Sequence, residues 1–381
     1  MTRGCTALSV ALVGLLSSAA LAQPAMQRLA EVSGTQVILY TATPVALVRQ
    51  QVRVHLTAGP SQVTFTWAKG KIDEASVRLL PPRGLSLGGL TRPAGTEKTL
   101  AWEVTAQAEG DYEVTVMYLL SDLKWSPSYR LVYAPGSAEV TLEGHLTLSN
   151  ESGLAFEDTQ VQVILGRPGS DSAPAAGSPA AFTLADLGAL PLGSKLCARF
   201  LPPVSLPAQL VYRIDSERAP ETVQRILLVQ PPSSGALAQE ALPRGALQVV
   251  LAEADQPTRP LLSTELSYEP GKEFEIALGA EPDVVVERRM LDQLKVNVEF
   301  DRLGRVSGFD TVEQYRIRVR NRRAEMAEIE VVESVLETWD FATRALHARE
   351  EGTATMHLSV PPGEERVLDF SLTKHSGTRI P

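Results

Sequence analysis

The sequence predicts an all-β protein, built of two or three packed antiparallel β-sandwich modules of immunoglobulin-like type behind a cleaved signal peptide. Three observations support this fold class. Apolar and polar residues alternate with a period of two in many short segments, as at Val52, Val54 and Leu56. Turns that contain glycine or proline separate these segments. Helical patterns after the signal are confined to Phe182–Leu190 and Thr343–Arg349, each predicted to form one or two turns.

The first residues predict export. Residues 1–22 combine one positive charge, an apolar run from Ala7 and the ending Ala20-Leu21-Ala22, which is typical of a secretory signal peptide cut before Gln23. The run is short for a membrane span, so a retained N-terminal anchor is only the alternative. No later segment is apolar enough to cross a bilayer. We therefore expect a periplasmic or secreted protein without a transmembrane segment after cleavage.

Charge and cysteine content restrict the partners and the compartment. The formal net charge is 36 − 45 = −9, which argues against nucleic acid as a partner. After signal cleavage the chain keeps one cysteine, Cys197, so it forms no internal disulfide. An exported chain without disulfides fits a bacterial envelope better than an animal secretory pathway. The sequence around Cys197 contains no histidine or basic cluster, which predicts a small buried residue rather than a reactive thiol.

Composition breaks divide the chain into four parts. Residues 1–22 form the signal peptide, residues 23–108 an N-terminal β-domain, residues 109–230 a central β-sandwich and residues 231–381 a C-terminal β-sandwich. The segment 167–180 is rich in Pro, Gly, Ser and Ala and predicts a flexible loop within the central sandwich.

Strands that flank short turns are interpreted as hairpins. The four turns are Thr57–Ser61, Ala94-Gly95, Pro270-Gly271 and Pro362-Gly363, each followed by an alternating strand.

A charge pattern near the C-terminus predicts one further hairpin with a defined register. If the turn is centred on residues 322–324, Arg316 faces Glu330 and Arg318 faces Glu328. Opposite charges across antiparallel strands stabilise the pair by roughly 0.2–1 kcal/mol. We interpret this as a solvated ladder, and a patch for anionic ligands as the weaker alternative.

Motifs for catalysis, metals and cofactors are weak. Gly84–Gly88 matches G-x-S-x-G around Ser86, but that motif requires a following helix, so we interpret it as a glycine-rich loop. The histidines lack the spacing of a metal site, and no phosphate-binding glycine motif is present. We expect no cofactor, no metal and no catalytic residue. Asn150-Glu151-Ser152 is a formal glycosylation sequon that matters only in a eukaryote.

The most distinctive segment of the sequence is Trp125-Ser126-Pro127-Ser128-Tyr129. Trp125 and Tyr129 are the candidate ligand-binding residues, because two aromatic rings around a proline can stack on a sugar. The alternative, which we favour, is a structural corner where the chain passes from one module to the next, with Pro127 fixing the backbone and both rings anchoring the junction.

This stretch also begins a resemblance to a bacterial domain of unknown function found in mucoidy-inhibitor (MuiA-like) proteins. The similarity covers roughly Glu113 to Lys374. Its individually soft motifs occur in consistent order, and they include Leu148-Ser149-Asn150, Leu242-Pro243-Arg244-Gly245, Val319-Arg320-Asn321 and Pro361-Pro362-Gly363-Glu364. The chain lacks the coiled-coil hairpin of those proteins and matches poorly from Ser170 to Gln230, so it resembles a shorter relative. The resemblance implies an envelope role connected with exopolysaccharide and supplies no catalytic residues.

Together these features favour a non-enzymatic binding or scaffolding protein of the bacterial envelope. Its expected partners are an envelope protein or a glycan. Two alternatives are an envelope hydrolase acting on polysaccharide or peptide, with paired carboxylates or Ser86 beside a histidine, and a secreted structural or adhesion module.

Overall fold

The computed structural model describes residues 25–29, 31–67, 69–164, 181–184, 188–217, 219–252, 259–350 and 352–381. These residues form β-strands and one short 3-10 helix at Ala236–Ala238. The strands, in chain order, are β1 (Ala25–Arg28), β2 (Glu31–Tyr40), β3 (Ala46–Leu56), β4 (Gly59–Thr66), β5 (Ile72–Leu80), β6 (Leu85–Thr91), β7 (Thr99–Ala106), β8 (Gly110–Leu120), β9 (Leu123–Tyr133), β10 (Glu139–Asn150), β11 (Thr159–Ile164), β12 (Ala181–Leu184), β13 (Lys195–Asp215), β14 (Val223–Val229), β15 (Gly245–Leu251), β16 (Arg259–Leu266), β17 (Phe274–Ala280), β18 (Val284–Phe300), β19 (Val306–Asn321), β20 (Ala327–Ser334), β21 (Trp339–Thr343), β22 (His347–Glu350), β23 (Thr353–Val360) and β24 (Glu365–Gly377).

The strands assemble into four sheets. The N-terminal sheet has the order β1-β4-β7-β6, and the six-stranded sheet has the order β12-β11-β2-β3-β8-β5. The ten-stranded sheet runs β16-β15-β9-β10-β13-β20-β23-β22, with β14 paired to β13 and β17 paired to β14. The C-terminal sheet has the order β18-β19-β24-β21. Most pairs are antiparallel, and the parallel ones are β1–β4, β2–β11, β9–β15 and β13–β20. The predicted all-β class of packed sheets is confirmed.

Two large hydrophobic cores hold the sheets together in the described part of the chain. The larger core joins the N-terminal and six-stranded sheets and continues along β9 and β10, where alternate residues such as Leu142 and Leu146 are buried. The ring of Phe65 links two sheets, with its centroid 5.5 Å from that of Trp67 and 5.6 Å from that of Tyr118. The second core lies between the C-terminal sheet and strands β20 and β23.

The domain boundaries stay a prediction, and sheets run across two of them. Strand β8, after position 108, pairs with β3 and β5, which precede it. Strand β17, after position 230, pairs with β14, which precedes that position. The signal peptide 1–22 and the loop 167–180 lie outside the described residues.

Three of the four predicted hairpins are wrong. Only the turn at Ala94-Gly95 joins two strands that pair with each other, β6 and β7. The turns at Thr57–Ser61 and Pro362-Gly363 instead carry the chain from one sheet to another, because β3 and β4, and also β23 and β24, belong to different sheets. Strands β16 and β17 on either side of Pro270-Gly271 are not partners either. Alternation identifies the buried face of a strand, and that face is the same whichever sheet the strand joins.

The predicted ladder of Arg316 and Arg318 with Glu328 and Glu330 is also wrong. After Asn321 the chain leaves the C-terminal sheet, so β19 pairs with β18 and β24 rather than with β20. Arg316 therefore donates to Asp369, with Nε 2.8 Å from Oδ1, and Arg318 lies 3.9 Å from Glu287.

Three smaller expectations are corrected as well. Cys197 is exposed on β13 rather than buried, since the side chains around it alternate and Cys197 is on the outer side. The segment Thr343–Arg349 joins strands β21 and β22 instead of forming a helical turn. Phe182–Leu190 begins in strand β12 and ends at Leu190, which forms a bridge with Phe156, while residues 185–187 lie outside the described part.

Each of the two cores has a corner that is built on a buried asparagine. At the end of β10, Asn150 Nδ2 donates to the carbonyls of residues 154 and 190, and the N–H of residue 152 donates to its Oδ1. At the end of β19, Asn321 Nδ2 donates to the carbonyls of residues 325 and 360, and the N–H of residue 323 donates to its Oδ1. Both asparagines are 0% exposed. The same hydrogen bonds thus direct the chain out of a sheet in each core, and the buried Asn150 amide is closed to glycosylation in the folded chain.

Candidate functional site

The candidate aromatic residues lie in the middle of a packed strand. Trp125 and Tyr129 are on the same side of β9, facing the larger core. Tyr129 is 3% exposed, its ring packs edge-on against Phe200, and its hydroxyl donates to the Pro243 carbonyl at 2.5 Å. Burial raises the pKa of Tyr129. Trp125 is half-buried against the same core. Their role as a ligand platform stays a prediction, and these contacts favour packing.

The corner between modules lies before this stretch, at Ser121 and Asp122. Strand β8 of the six-stranded sheet ends there and β9 of the ten-stranded sheet begins. Asp122 has a φ of 65°, and its carboxylate is paired with Lys71. The chain therefore turns three residues earlier than the predicted corner at Trp125.

Pro127 and Gly245 explain why the stretch is so distinctive. Strand β15 runs parallel to β9 from Ser128 onward, so Gly245 lies beside Pro127. A Cβ atom at Gly245 would be 2.5 Å from the Pro127 carbonyl oxygen, which is closer than real contacts allow. The two sequence motifs that contain these residues therefore meet in one close packing contact between strands.

The residues considered for catalysis are occupied in structural contacts. Ser86 lies in strand β6, not in the predicted loop, and its hydroxyl donates to the Thr105 carbonyl at 3.3 Å. His375 lies between Asp310, at 2.8 Å from Nδ1, and Asp340, at 3.1 Å from Nε2. Within the described ranges, no group of three or more His, Cys, Asp or Glu residues has a geometry that would hold a metal ion.

Asp310 is saturated by its neighbours. Arg379 donates to both of its carboxylate oxygens, at 3.0 and 2.7 Å, and Asn297 donates to Oδ2 at 2.7 Å. The hydrogen bonds from Arg379, Asn297 and His375, in that order, hold the pKa of Asp310 well below its usual range. The carboxylate therefore stabilises the C-terminal sheet and has no free position for a reacting group.

Two of the cavities among the described residues have a substantial volume. The larger, about 960 Å³, is on the C-terminal sheet around Arg316 and Ser371. The guanidinium of Arg316 is already held by Asp369 through two hydrogen bonds of 2.8 and 2.9 Å. The second, about 610 Å³, is on the outer face of the six-stranded sheet, and it contains Arg49, whose buried Nε has no hydrogen-bond partner among the described residues. We therefore take the second cavity as the candidate site.

This site, here called the Arg49 cleft, is assembled from five segments of the chain. Antiparallel pairing places Arg49 of β3 opposite Gln36 of β2, and parallel pairing places Gln36 beside Gln160 of β11. One position further, Gln51 lies opposite Gly34. The cleft is lined by Gly34, Thr35, Gln36, Arg49, Gln51, Leu80, Thr115, Asp158 and Gln160.

The electrostatics of the cleft depend on Arg49. Its Nε is buried and has no hydrogen-bond partner in the described part of the chain. Burial raises the pKa of Tyr40, and the nearby charge of Arg49 opposes this effect. Asp158, with a φ of 44°, accepts a hydrogen bond from the Thr35 N–H through its carbonyl, which ties the start of β11 to β2. The cleft thus presents one guanidinium, three side-chain amides and one exposed carboxylate.

Sequence reasoning missed this site, because no local motif marks it. The alternation of β3 places Arg49, Gln51 and Arg53 on its polar side, and it predicts that each of them is solvated. Arg49 differs from the other two because its Nε is buried, on a strand that pairs with β2 on one side and β8 on the other.

The family match covers most of the chain but not all residues of the cleft. A family described as domain of unknown function DUF4139 matches residues 114–375. No curated protein matches the chain. The match begins within β8, so Arg49 and the glutamines of β2 and β3 lie outside it, while Thr115, Asp158 and Gln160 lie inside. Among the described residues no helix has the length and hydropathy needed to span a membrane.

Proposed function

Because the chain belongs to the DUF4139 family, a domain of unknown function, we propose its role from the site: an exported bacterial envelope protein that binds a polar ligand without transforming it. The binding site is the Arg49 cleft. The ligand class is a hydroxyl-rich molecule that carries a carboxylate, such as an acidic unit of a cell-surface or exopolysaccharide chain.

The unpartnered Nε of Arg49 carries this proposal. A buried donor without an acceptor costs about 1–3 kcal/mol, and more for a charged group. A ligand carboxylate would supply that acceptor, since guanidinium and carboxylate pair in a planar, two-bond geometry. Gln36, Gln51 and Gln160 each carry an amide that both donates and accepts, which suits the hydroxyl groups of a sugar.

Two sequence features support the location of this activity. The predicted signal peptide at residues 1–22 and the single cysteine of the mature chain, Cys197, fit a periplasmic or secreted protein. The resemblance to MuiA-like proteins supports a connection with exopolysaccharide.

The alternative function, an envelope hydrolase, has less support. Glycoside hydrolysis generally requires two carboxyl groups on opposite sides of the scissile bond. Among the described residues that line the Arg49 cleft, Asp158 is the one carboxylate. Ser86, the other candidate, donates to a backbone carbonyl.

Calorimetric titration with uronic-acid oligosaccharides and their neutral counterparts tests the proposal. The chain from Gln23 should bind the acidic oligosaccharides and leave them intact. Arg49→Gln should weaken binding roughly 10- to 100-fold, which corresponds to the loss of a charge-assisted hydrogen bond of about 1.5–3 kcal/mol. Arg53→Gln is the matched control, because Arg53 is exposed on the same strand outside the cleft.

Equal affinity for neutral oligosaccharides, or equal binding by the Arg49→Gln variant, would contradict the proposal. Cleavage products in the titration cell would favour the hydrolase.

A further inference from the structure

Strand β18 presents a long open edge. It has seventeen residues, Val284–Phe300, and lies at the end of the C-terminal sheet, where it pairs with β19. Its other edge has no partner strand in the described part of the chain. Unpaired N–H and C=O groups along such an edge are a template for another strand.

The same strand and the tip that follows it concentrate exposed apolar side chains. Of the eighteen exposed large hydrophobic residues among the described ranges, eight lie between positions 285 and 306. The reason is geometric, since among the described residues of β19 the second core reaches only as far as Tyr315, and the hairpin beyond that point contributes no residue to this core. Exposed apolar surface on this scale marks an interaction site. The eight residues are Val285, Met290, Leu291, Leu294, Val298, Phe300, Leu303 and Val306.

Three register irregularities interrupt the pairing of β18 with β19, the last of them between Glu299 and Phe300, and the other two lie on either side of Leu294. The first lies between Met290 and Asp292 and leaves Leu291 unpaired with β19. The second lies between Val296 and Glu299 and begins at Asn297, which has a φ of 52°. Bulges normally protect an edge, because they twist it out of register with a regular strand. Leu291 and Asn297, however, are each three positions from Leu294, so a second β18 running antiparallel would place bulge against bulge.

We propose that two copies of the chain pair through β18 in antiparallel orientation, about a two-fold axis at Leu294. Leu294 then meets the same residue of the second copy, and Arg289 faces Glu299 of the second copy on both sides of the axis. These three residues lie on one face of the sheet, because their β19 partners are spaced by four positions. The C-terminal sheets of the two copies join into one eight-stranded sheet.

The opposite charges of Arg289 and Glu299 favour this occupant over an unrelated strand. Arg289 and Glu299 carry opposite charges at equal distances on either side of Leu294, which is what a two-fold partner requires. Their side chains are 67% and 46% exposed, so both reach solvent in the single chain. Within the single chain, Arg289 pairs with Glu287 and Glu299 pairs with Arg379.

A cysteine placed on the axis tests the register. Residues directly opposite each other in antiparallel strands have Cβ atoms about 4.5–5.5 Å apart, close to the spacing that a disulfide spans. In a Cys197→Ser background, Leu294→Cys should form a covalent dimer under mild oxidation at micromolar concentration. Leu303→Cys is the control, because Leu303 at the hairpin tip is 76% exposed but would lie roughly 60 Å from its counterpart across the axis.

Molar mass measured by light scattering, on the chain in which Cys197 is unchanged, gives the second test. The chain from Gln23 should be a dimer, and Leu294→Arg should make it monomeric at an unchanged melting temperature, since Leu294 is 50% exposed. Leu303→Arg should remain dimeric. A monomeric parent chain, a dimer that survives Leu294→Arg, or equal cross-linking at both cysteine positions would overturn the proposal.

Discussion

The buried corner at Asn150 offers a sharp test of how the larger core is held. Asn150→Asp keeps the shape of the side chain and removes its two N–H donors. In the native chain Nδ2 lies 2.7 Å from the Leu154 carbonyl, 3.0 Å from that of Leu190 and 3.2 Å from that of Pro191. A carboxylate there would donate no hydrogen bond and would face three carbonyl oxygens.

The expected loss of stability follows from these contacts. Two donated hydrogens are shared among three carbonyls, and each buried group left without its partner costs about 1–3 kcal/mol. The free energy of unfolding of the larger core should therefore fall by about 2–6 kcal/mol. The loss should be smaller at low pH, because a protonated Asp at position 150 regains one donor.

Denaturant unfolding followed by tryptophan fluorescence measures this loss. Gln209→Glu is the control for the change from amide to acid, since Gln209 is exposed. Asn321→Asp should produce a similar loss in the second core, where Asn321 has equivalent hydrogen bonds. A change of less than about 0.5 kcal/mol for Asn150→Asp would refute the reasoning, because surface substitutions already reach that size.

Three further predictions concern packing, pH and the cleft. Trp125→Ala should lower the free energy of unfolding by about 2–4 kcal/mol, because it truncates a partly buried aromatic residue of the core. A variant that is fully stable but no longer binds the ligand would instead support the aromatic platform. Hydrogen bonding to Asp310 and then to Asp340 raises the pKa of His375, so its stabilisation is present below about pH 6.5 and lost as pH rises through the folded-state pKa. His375→Gln should therefore flatten the dependence of the denaturation midpoint on pH above 6.5, and an unchanged slope would contradict this. Gly34→Val should block the cleft without backbone strain, because a Cβ there lies 3.4 Å from Gln51 Oε1; retained ligand affinity would place the ligand elsewhere.

The strands were predictable from local sequence, and their neighbours were not. Alternation at Val52, Val54 and Leu56 correctly identifies the buried face of β3. It does not show that β3 and β4 belong to different sheets, since a strand that crosses to the opposite sheet keeps its apolar side toward the same core. The Arg316 ladder failed for this reason, because its predicted turn is a crossing between sheets at Asn321.

The candidate site could not be predicted from the sequence, for a related reason. Gln160 is far in the chain from Gln36 and Arg49, and the three residues meet only through the pairing of β2 with both β3 and β11. Trp125 and Tyr129 were the candidate ligand-binding residues because they lie four positions apart around Pro127. In the structure this segment contains a close contact between strands at Pro127 and Gly245, and a packing contact of this kind constrains the sequence as a binding site would.

Hydrogen–deuterium exchange of the chain from Gln23 locates the bound ligand directly. With and without a saturating uronic-acid oligosaccharide, backbone amides should gain protection at residues 34–36, 49–51 and 158–160. These segments line the Arg49 cleft and belong to three adjacent strands. Protection confined to residues 123–133 around Trp125, or to the C-terminal sheet, would contradict the account.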